Sequence, residues 1–379
     1  MQNSKFFPEI HGNFGFGCMR LPMNGDKVDY EQFCRMADAF TEAGFNYFDT
    51  AHGYINGKSE IAVRECVAKR YPRDRFLLTD KLTEPYFRTR EDIRPFFEKQ
   101  LEWCGVDYFD FYLMHAQNRN NYQKFKRCAA YETAYKLKEQ GLIKHLGLSF
   151  HDKAEVLDMI LNEHPEIEAV QIQFNYVDYD DASVESRKVY EVCEKHGKPV
   201  IVMDPVKGGS LVNLPPEADA VLRALGGGSN ASYALRFAAS FGNMAMVLSG
   251  MSNMDQVLDN ISAMRDFKPL DSSEFEAIEK VCGIFRGLDL IPCTACRYCV
   301  EENECPKGIR IPDMFSSLNS HEAFHNWNSE YYYSEIITGD GHGKASDCIR
   351  CGKCEKVCPQ HLPIRKLLEN VAKTFEGRE

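Results

Sequence analysis

Eight cysteines crowd into two short runs. "CTACRYCVEENECP" holds Cys293, Cys296, Cys299 and Cys305, and "CIRCGKCEKVCP" holds Cys348, Cys351, Cys354 and Cys358. Each run is a triplet at intervals of three, trailed by a fourth cysteine directly before proline. Three thiolates two residues apart can wrap one corner of an iron–sulfur cubane, while the proline-directed turn carries the fourth away. Paired C-x2-C spacing also serves structural zinc, but zinc uses two pairs, not two triplets each with a trailing Cys-Pro. The chemistry indicated is single-electron transfer at iron–sulfur clusters.

The second run matches the spacing of bacterial ferredoxins, and the segment resembles a dicluster ferredoxin of the more helical type. That resemblance implies two [4Fe–4S] clusters with crossed ligation. Cys293, Cys296, Cys299 and Cys358 would hold one, and Cys348, Cys351, Cys354 and Cys305 the other. The first run departs from the pattern, with five residues instead of three before Cys305. "CPKGIRIPDMF" and "CPQHLPIRKLL" repeat one theme, each reading as a short extended link and then an apolar-periodic helix.

A second set of residues could act on a carbonyl. Asp49 and Tyr54 stand in "FDTAHGY", Lys81 in "TDKL" and His115 in "YLMH". Carbonyl reduction puts negative charge on oxygen as hydride reaches carbon, so something must donate a proton there. A tyrosine with an ordinary pKa of about 10 is too weak an acid alone. A neighbouring lysine ammonium favours the phenolate and is expected to lower that pKa. Asp49 can hold the lysine in place, and His115 can orient the carbonyl.

These residues need a frame. The chain has 379 residues, 44% of them hydrophobic, enough for a large barrel plus a small module. Eight short apolar stretches read as buried parallel strands: "GFGCMRL", "NYFDT", "RFLLTDKL", "YFDFYLMH", "IKHLGLSF", "EAVQIQFN", "PVIVMDP" and "AMVLSGM". Amphipathic stretches such as "YEQFCRMADAFTEAG" and "YETAYKLKEQG" separate most of them and end at glycine. Eight alternating units in about 250 residues predict an α/β fold, a (β/α)8 TIM barrel, over residues 1–265. A linking helix over 266–292 and a small, mainly helical ferredoxin-like domain over 293–379 follow. In such barrels chemistry sits at the C-terminal strand ends, where all four carbonyl-directed residues fall.

Residues 12 to about 265 resemble an aldo-keto reductase. "DTAHGY", the lysine after the third strand and "LMH" at the fourth match that family's Asp-Tyr-Lys-His tetrad in order. The resemblance implies Tyr54 as general acid/base, Lys81 as its tuner, Asp49 as the lysine's partner and His115 for substrate orientation. It further implies a nicotinamide cofactor. Ser149 and Gln171 match the pair that holds the carboxamide. "GMSNMDQVLDN" maps Ser252, Gln256, Asp259 and Asn260 onto the adenosine-phosphate loop of the potassium-channel beta-subunit branch. Several positions depart: Met203 replaces the ring-stacking aromatic, Asp204 its neighbouring serine, and Phe150 follows Ser149. No arginine stands in the "GMSNMDQ" loop, leaving a 2′-phosphate without its clearest cation there. NADH, NADPH and a flavin all stay open, and Lys207 in "PVKGG" is either a phosphate contact or a solvated lysine.

The net charge of -11 argues against nucleic acid as a partner. No run of about 18 apolar residues or signal-type segment occurs, so a cytoplasmic protein with no membrane span is expected. The seven remaining cysteines, scattered through residues 1–282, read as small buried hydrophobes. The joint expectation is an oxidoreductase interconverting a carbonyl and an alcohol, its clusters linked to an external ferredoxin or flavodoxin. A redox-sensing barrel without turnover, clusters of purely structural or regulatory use, and a flavin-dependent reductase are the alternatives. Tyr122 and Phe125 either line the substrate pocket or pack.

Overall fold

The computed structural model describes residues 3–181, 184–209, 211–287, 290, 291, 293, 299, 300, 305–324, 329, 330, 332–339, 341–358 and 362–377. The chain divides into two compact units. The first comprises Met1–Asp180, Val184–Val212 and Gly227–Phe275; the second comprises Asp181–Ser183, Asn213–Gly226 and Glu276–Glu379.

The first unit is the expected barrel. Its strands are β1 (Phe14–Gly17), β2 (Tyr47–Asp49), β3 (Leu77–Leu82), β4 (Phe109–Gln117), β5 (Ile143–Phe150), β6 (Ala169–Gln173), β7 (Val200–Met203) and β8 (Met244–Gly250). All eight pair in parallel, and the sheet closes where β1 meets β8. Each strand overlaps one of the apolar stretches, three of them running one or two residues beyond it, because burial on both faces demands hydrophobic residues without alternation.

The helices follow from amphipathic spacing. Tyr30–Glu42 buries Phe33, Met36, Ala37 and Phe40, spaced to share one face. Asp29 caps it by accepting a hydrogen bond from the Gln32 amide. That face packs Phe33 and Phe40 against Phe16 and Phe48 of the sheet, with ring centroids 5.3–5.6 Å apart. In β5, Gly147 is obligatory: a Cβ there would lie 2.6 Å from the Ala169 carbonyl oxygen.

The N-terminal segment plugs the barrel floor. Phe7 and Ile10 join a core with Tyr47, Leu77, Phe111 and Ile201. Phe7 meets Phe111 edge-on at 5.0 Å. With that end filled, the opposite rim is where a ligand can enter.

The second unit is mainly helical. Ser272–Gly287, within the stretch expected as a linking helix, runs across the division between the units. Helices Ile311–Phe324 and Ile364–Glu376 lie in one core, built from Met314, Phe315, Leu318, Leu368 and Val371. No helix among the described residues is long and apolar enough to cross a membrane.

Candidate active site and cluster cradle

The strand ends bring three of the four carbonyl-directed residues into direct contact. Lys81, wholly buried on β3, places Nζ 2.6 Å from Asp49 Oδ1, 2.9 Å from the Thr50 carbonyl and 3.0 Å from the Tyr54 hydroxyl. His115, on β4, stands edge-on to Tyr54 at 6.0 Å between ring centroids. Its Nδ1 is 2.7 Å from the Thr83 hydroxyl. His115 sits where β4 slips register between Met114 and Gln117, with Ala116 left-handed at φ 51°. Such a bulge re-aims a side chain at the rim.

The loop carrying Tyr54 is strained. Ile55, Asn56 and Gly57 are successive left-handed residues, at φ 51°, 54° and 79°. A β-branched residue there costs about 1–2 kcal/mol, which the surroundings must hold.

Electrostatics refine the roles. Burial would lower the Lys81 pKa, but Asp49 and then Tyr54 outweigh it and hold the ammonium above its ordinary value. For Tyr54 the expectation of a lowered pKa is overturned. Burial raises it, and the pull of Lys81 does not compensate. The phenol is therefore protonated at neutral pH, the form needed to donate. Burial, then the Lys81 charge, pushes His115 well below its ordinary value, leaving a neutral imidazole.

Behind β3 lies a polar layer that the sequence did not announce. Asp80 and Lys81 are neighbours on a strand, so their side chains face opposite sides of the sheet. Asp80 meets Glu60 and Cys104, with ligand-type atoms within 4.8 Å of one another. Burial raises Glu60 to about 7 and Asp80 well above its ordinary value, so the two carboxyls share a proton near neutrality. His52 Nδ1 lies 2.6 Å from Glu60 Oε2 and stacks on Trp103 at 4.3 Å. Asp80 Oδ1 accepts from the Lys81 amide at 2.8 Å, and Gln100 donates to the Lys81 carbonyl at 3.1 Å. The layer thus grips the lysine's backbone from behind.

The residues expected to hold a nicotinamide fall on the same rim. Ser149 and Gln171 are paired neighbours on β5 and β6. Ser149 Oγ accepts from the Ala116 amide at 2.7 Å, and its own proton remains available to donate. Gln171 donates to Asp49 Oδ2 at 3.0 Å, tying this pair into the tetrad. Met203 ends β7, opposite Gln173. Asp204, at φ 57°, accepts from the Gly208 amide at 2.5 Å. Lys207 is drawn to Asp178 at 2.6 Å. Ser252 and Gln256 bond each other at the start of helix Met254–Met264. Asp259 accepts from Ser229 at 2.6 Å, and buried Asn260 donates to Ser249 at 3.0 Å.

Arg20 is the cation the loop itself lacks. It follows β1, and its side chain stands 3.4 Å from where a Cβ on Gly250 would lie and 3.3 Å from where one on Gly208 would lie. Arg20 and the two glycines thus meet beyond the ends of β7 and β8, near the Asp204 carboxyl. Nothing in "GCMRLP" marked Arg20, since its placement arises from barrel closure. Tyr122 and Phe125 pack: both are fully buried, and the Tyr122 hydroxyl bonds Glu163 at 2.8 Å.

In the second unit, Cys299 and Cys354 are buried in the core, with Cys293, Cys305, Cys348 and Cys358 packed against it. Cys296 lies outside the described residues. Cys305 lines a single cavity with Cys348, Cys351 and Cys354, walled by Ile309, Ile311 and Leu368; Cys299 borders it too. Residues of the second triplet and the trailing cysteine of the first therefore line one space, although they are far apart in the sequence. That donor set fits a cubane cluster.

Comparison with known proteins agrees with both halves. The aldo/keto reductase family model matches residues 13–282, and a 4Fe-4S dicluster domain model matches 292–362. The first match spans most of the chain, which belongs to the aldo/keto reductase family. Human aldo-keto reductase family 1 member C3 is 30% identical over 180 residues, covering 43% of this chain and 53% of that protein. The chain thus spans about half the length of that relative. An uncharacterized oxidoreductase of Schizosaccharomyces pombe is 24% identical over 270 residues, 67% of this chain and 82% of its own. Among solved structures, an aldo-keto reductase from Klebsiella pneumoniae in complex with NADPH aligns with TM-score 0.60 at 19% identity, covering 74% of this chain and 95% of that one. The holo form of a Bacillus halodurans aldo-keto reductase aligns with TM-score 0.57 at 24% identity over the same shares. At these identities the structural likeness speaks for the fold.

Proposed function

We propose that the barrel interconverts a small-molecule carbonyl and its alcohol, and that two [4Fe–4S] clusters exchange electrons with an external carrier. One observation carries the first half: a protonated phenol, a buried ammonium and its carboxylate in hydrogen-bond contact beside a neutral imidazole. When bound, a nicotinamide at the rim would supply a two-electron hydride, whereas clusters in the second unit would pass electrons singly, the two together storing the pair that one hydride carries. Tyr54 donates its proton to the carbonyl oxygen, and Lys81 stabilises the phenolate left behind. Asp49 keeps the ammonium charged and in place. His115, uncharged, orients the oxygen by hydrogen bonding. Ser149 and Gln171 steady the carboxamide, Arg20 pairs with a phosphate, and Met203 packs on the ring. Ser252, Gln256, Asp259 and Asn260 shape the adenosine end.

The NADPH bound to the Klebsiella pneumoniae neighbour supports a nicotinamide at this rim. Cys293, Cys296, Cys299 and Cys358 would hold one cluster, and Cys348, Cys351, Cys354 and Cys305 the other. Tyr54→Phe tests the reading. Carbonyl turnover falls about a hundredfold or more while dinucleotide binding persists. Unchanged turnover in the variant would remove Tyr54 as the acid, whereas absence of carbonyl turnover in the unaltered protein would leave a binding-only barrel.

A further inference from the structure

The chain is acidic overall, yet charge is unevenly dealt around the two cysteine runs. Residues 293–305 carry one cation, Arg297, against Glu301, Glu302 and Glu304. Residues 344–366 carry six cations, Lys344, Arg350, Lys353, Lys356, Arg365 and Lys366, against Asp347 and Glu355. All six of these cations are exposed. Glu355 is already paired with Arg365 at 2.6 Å, and Arg350 with Glu369. Lys356 and Lys366 make no ion pair among the described residues. Arg350, Arg365 and Lys366 line one cleft with Glu355 and Glu369; beside it Cys351 is exposed and Ile349, next to a proposed cluster-ligand position, is 56% exposed, both lining a cavity with Lys353 and Arg365. A large apolar residue bare among lysines has the makeup of an interface: an apolar centre within a charged rim.

We propose that the face around Ile349 and Cys351 is the docking surface for an acidic one-electron carrier protein. This rests on the proposed electron exchange at the clusters. Cationic side chains steer an acidic partner and raise its association rate by ten to a thousandfold at low salt, as a general magnitude. The exposed Cys351 edge shortens the path between redox centres. Each encounter moves one electron, the carrier losing one as the module gains it or the reverse, and no bond forms or breaks.

The test uses anaerobically purified, full-length holoprotein and an acidic plant-type [2Fe–2S] ferredoxin as probe, with basic cytochrome c as counter-probe. Affinity is read by calorimetry with the ferredoxin oxidised, and electron exchange by stopped-flow absorbance with it reduced. The expected result is ferredoxin binding that weakens steeply with salt. The Lys356→Glu/Lys366→Glu variant, matched for iron content, should bind ferredoxin about tenfold more weakly. It should gain affinity for cytochrome c, whereas Lys99→Glu on the barrel should change neither. Salt-insensitive ferredoxin binding by the unaltered protein, or no binding at low salt, would overturn the proposal even if the variant proves unstable. Equal ferredoxin affinity in the variant would do the same. Patch-dependent docking combined with clusters that substrate never reoxidises would leave the docking surface standing and refute the electron path.

Discussion

Lys81 Nζ lies 2.6 Å from Asp49 Oδ1, and neither side chain has appreciable contact with water. Removing one partner of a buried pair leaves an uncompensated charge, which typically costs about 3–5 kcal/mol. Asp49→Asn should therefore lower the thermal midpoint of the barrel, read by near-ultraviolet circular dichroism. Lys81→Met should cut kcat at least about a hundredfold, because the phenolate loses its cation. Equal loss of stability with full retention of kcat in both variants would demote the pair to scaffolding.

Glu60 gives the barrel a pH dependence of opposite sign to that of an ordinary salt-bridged carboxylate. Burial raises its folded value to about 7, above the ordinary 4.5 of a free glutamate side chain. The folded state then holds more protons across that interval, so stability falls as pH rises from about 4.5 to 7. Below the interval the contribution is complete, and above it the contribution is lost. Glu60→Gln should flatten that slope, seen as thermal midpoints at pH 5, 6, 7 and 8 that differ less than in the parent.

Arg20→Ala should weaken dinucleotide binding about tenfold while leaving kcat at saturating cofactor nearly unchanged, since a phosphate contact acts on ground and transition states alike. Fluorescence titration with NADH and NADPH checks it. A larger loss for NADPH would assign the guanidinium to the 2′-phosphate.

Iron analysis tests the cradle. Anaerobic protein should hold about eight iron and eight sulfide per chain, as two cubanes require. Cys305→Ala and Cys351→Ala should perturb the same electron paramagnetic resonance signal, although 46 positions separate them in the sequence. Cys193→Ala, which removes a buried thiol of the barrel, should leave both signals intact.

Much of this was legible in the chain. The strands announced themselves because burial on both faces requires unbroken apolar runs, and Asp49, Lys81 and His115 stand where those runs stop. Cysteine spacing carried the cluster cradle for the same local reason. What stayed hidden depends on which side of a strand a residue faces and on meetings across the fold. Asp80, which nothing in "TDKL" singled out, points away from Lys81 into the layer behind the sheet. The Gln171–Asp49 bond joins residues 122 apart. The raised Tyr54 pKa was missed because burial, which outweighs the ammonium, cannot be read from neighbours in sequence.

Cys305 sits in the cavity of a triplet that begins at Cys348. Under the proposed ligation, the first run leaves the ribosome before the thiols with which it would share a cubane. A scavenging pool of iron could load the early triplet wrongly in that interval. Maturation of this module is then a late event, performed on a finished polypeptide, and expression hosts that translate quickly but deliver iron slowly should yield full-length barrel with an empty tail.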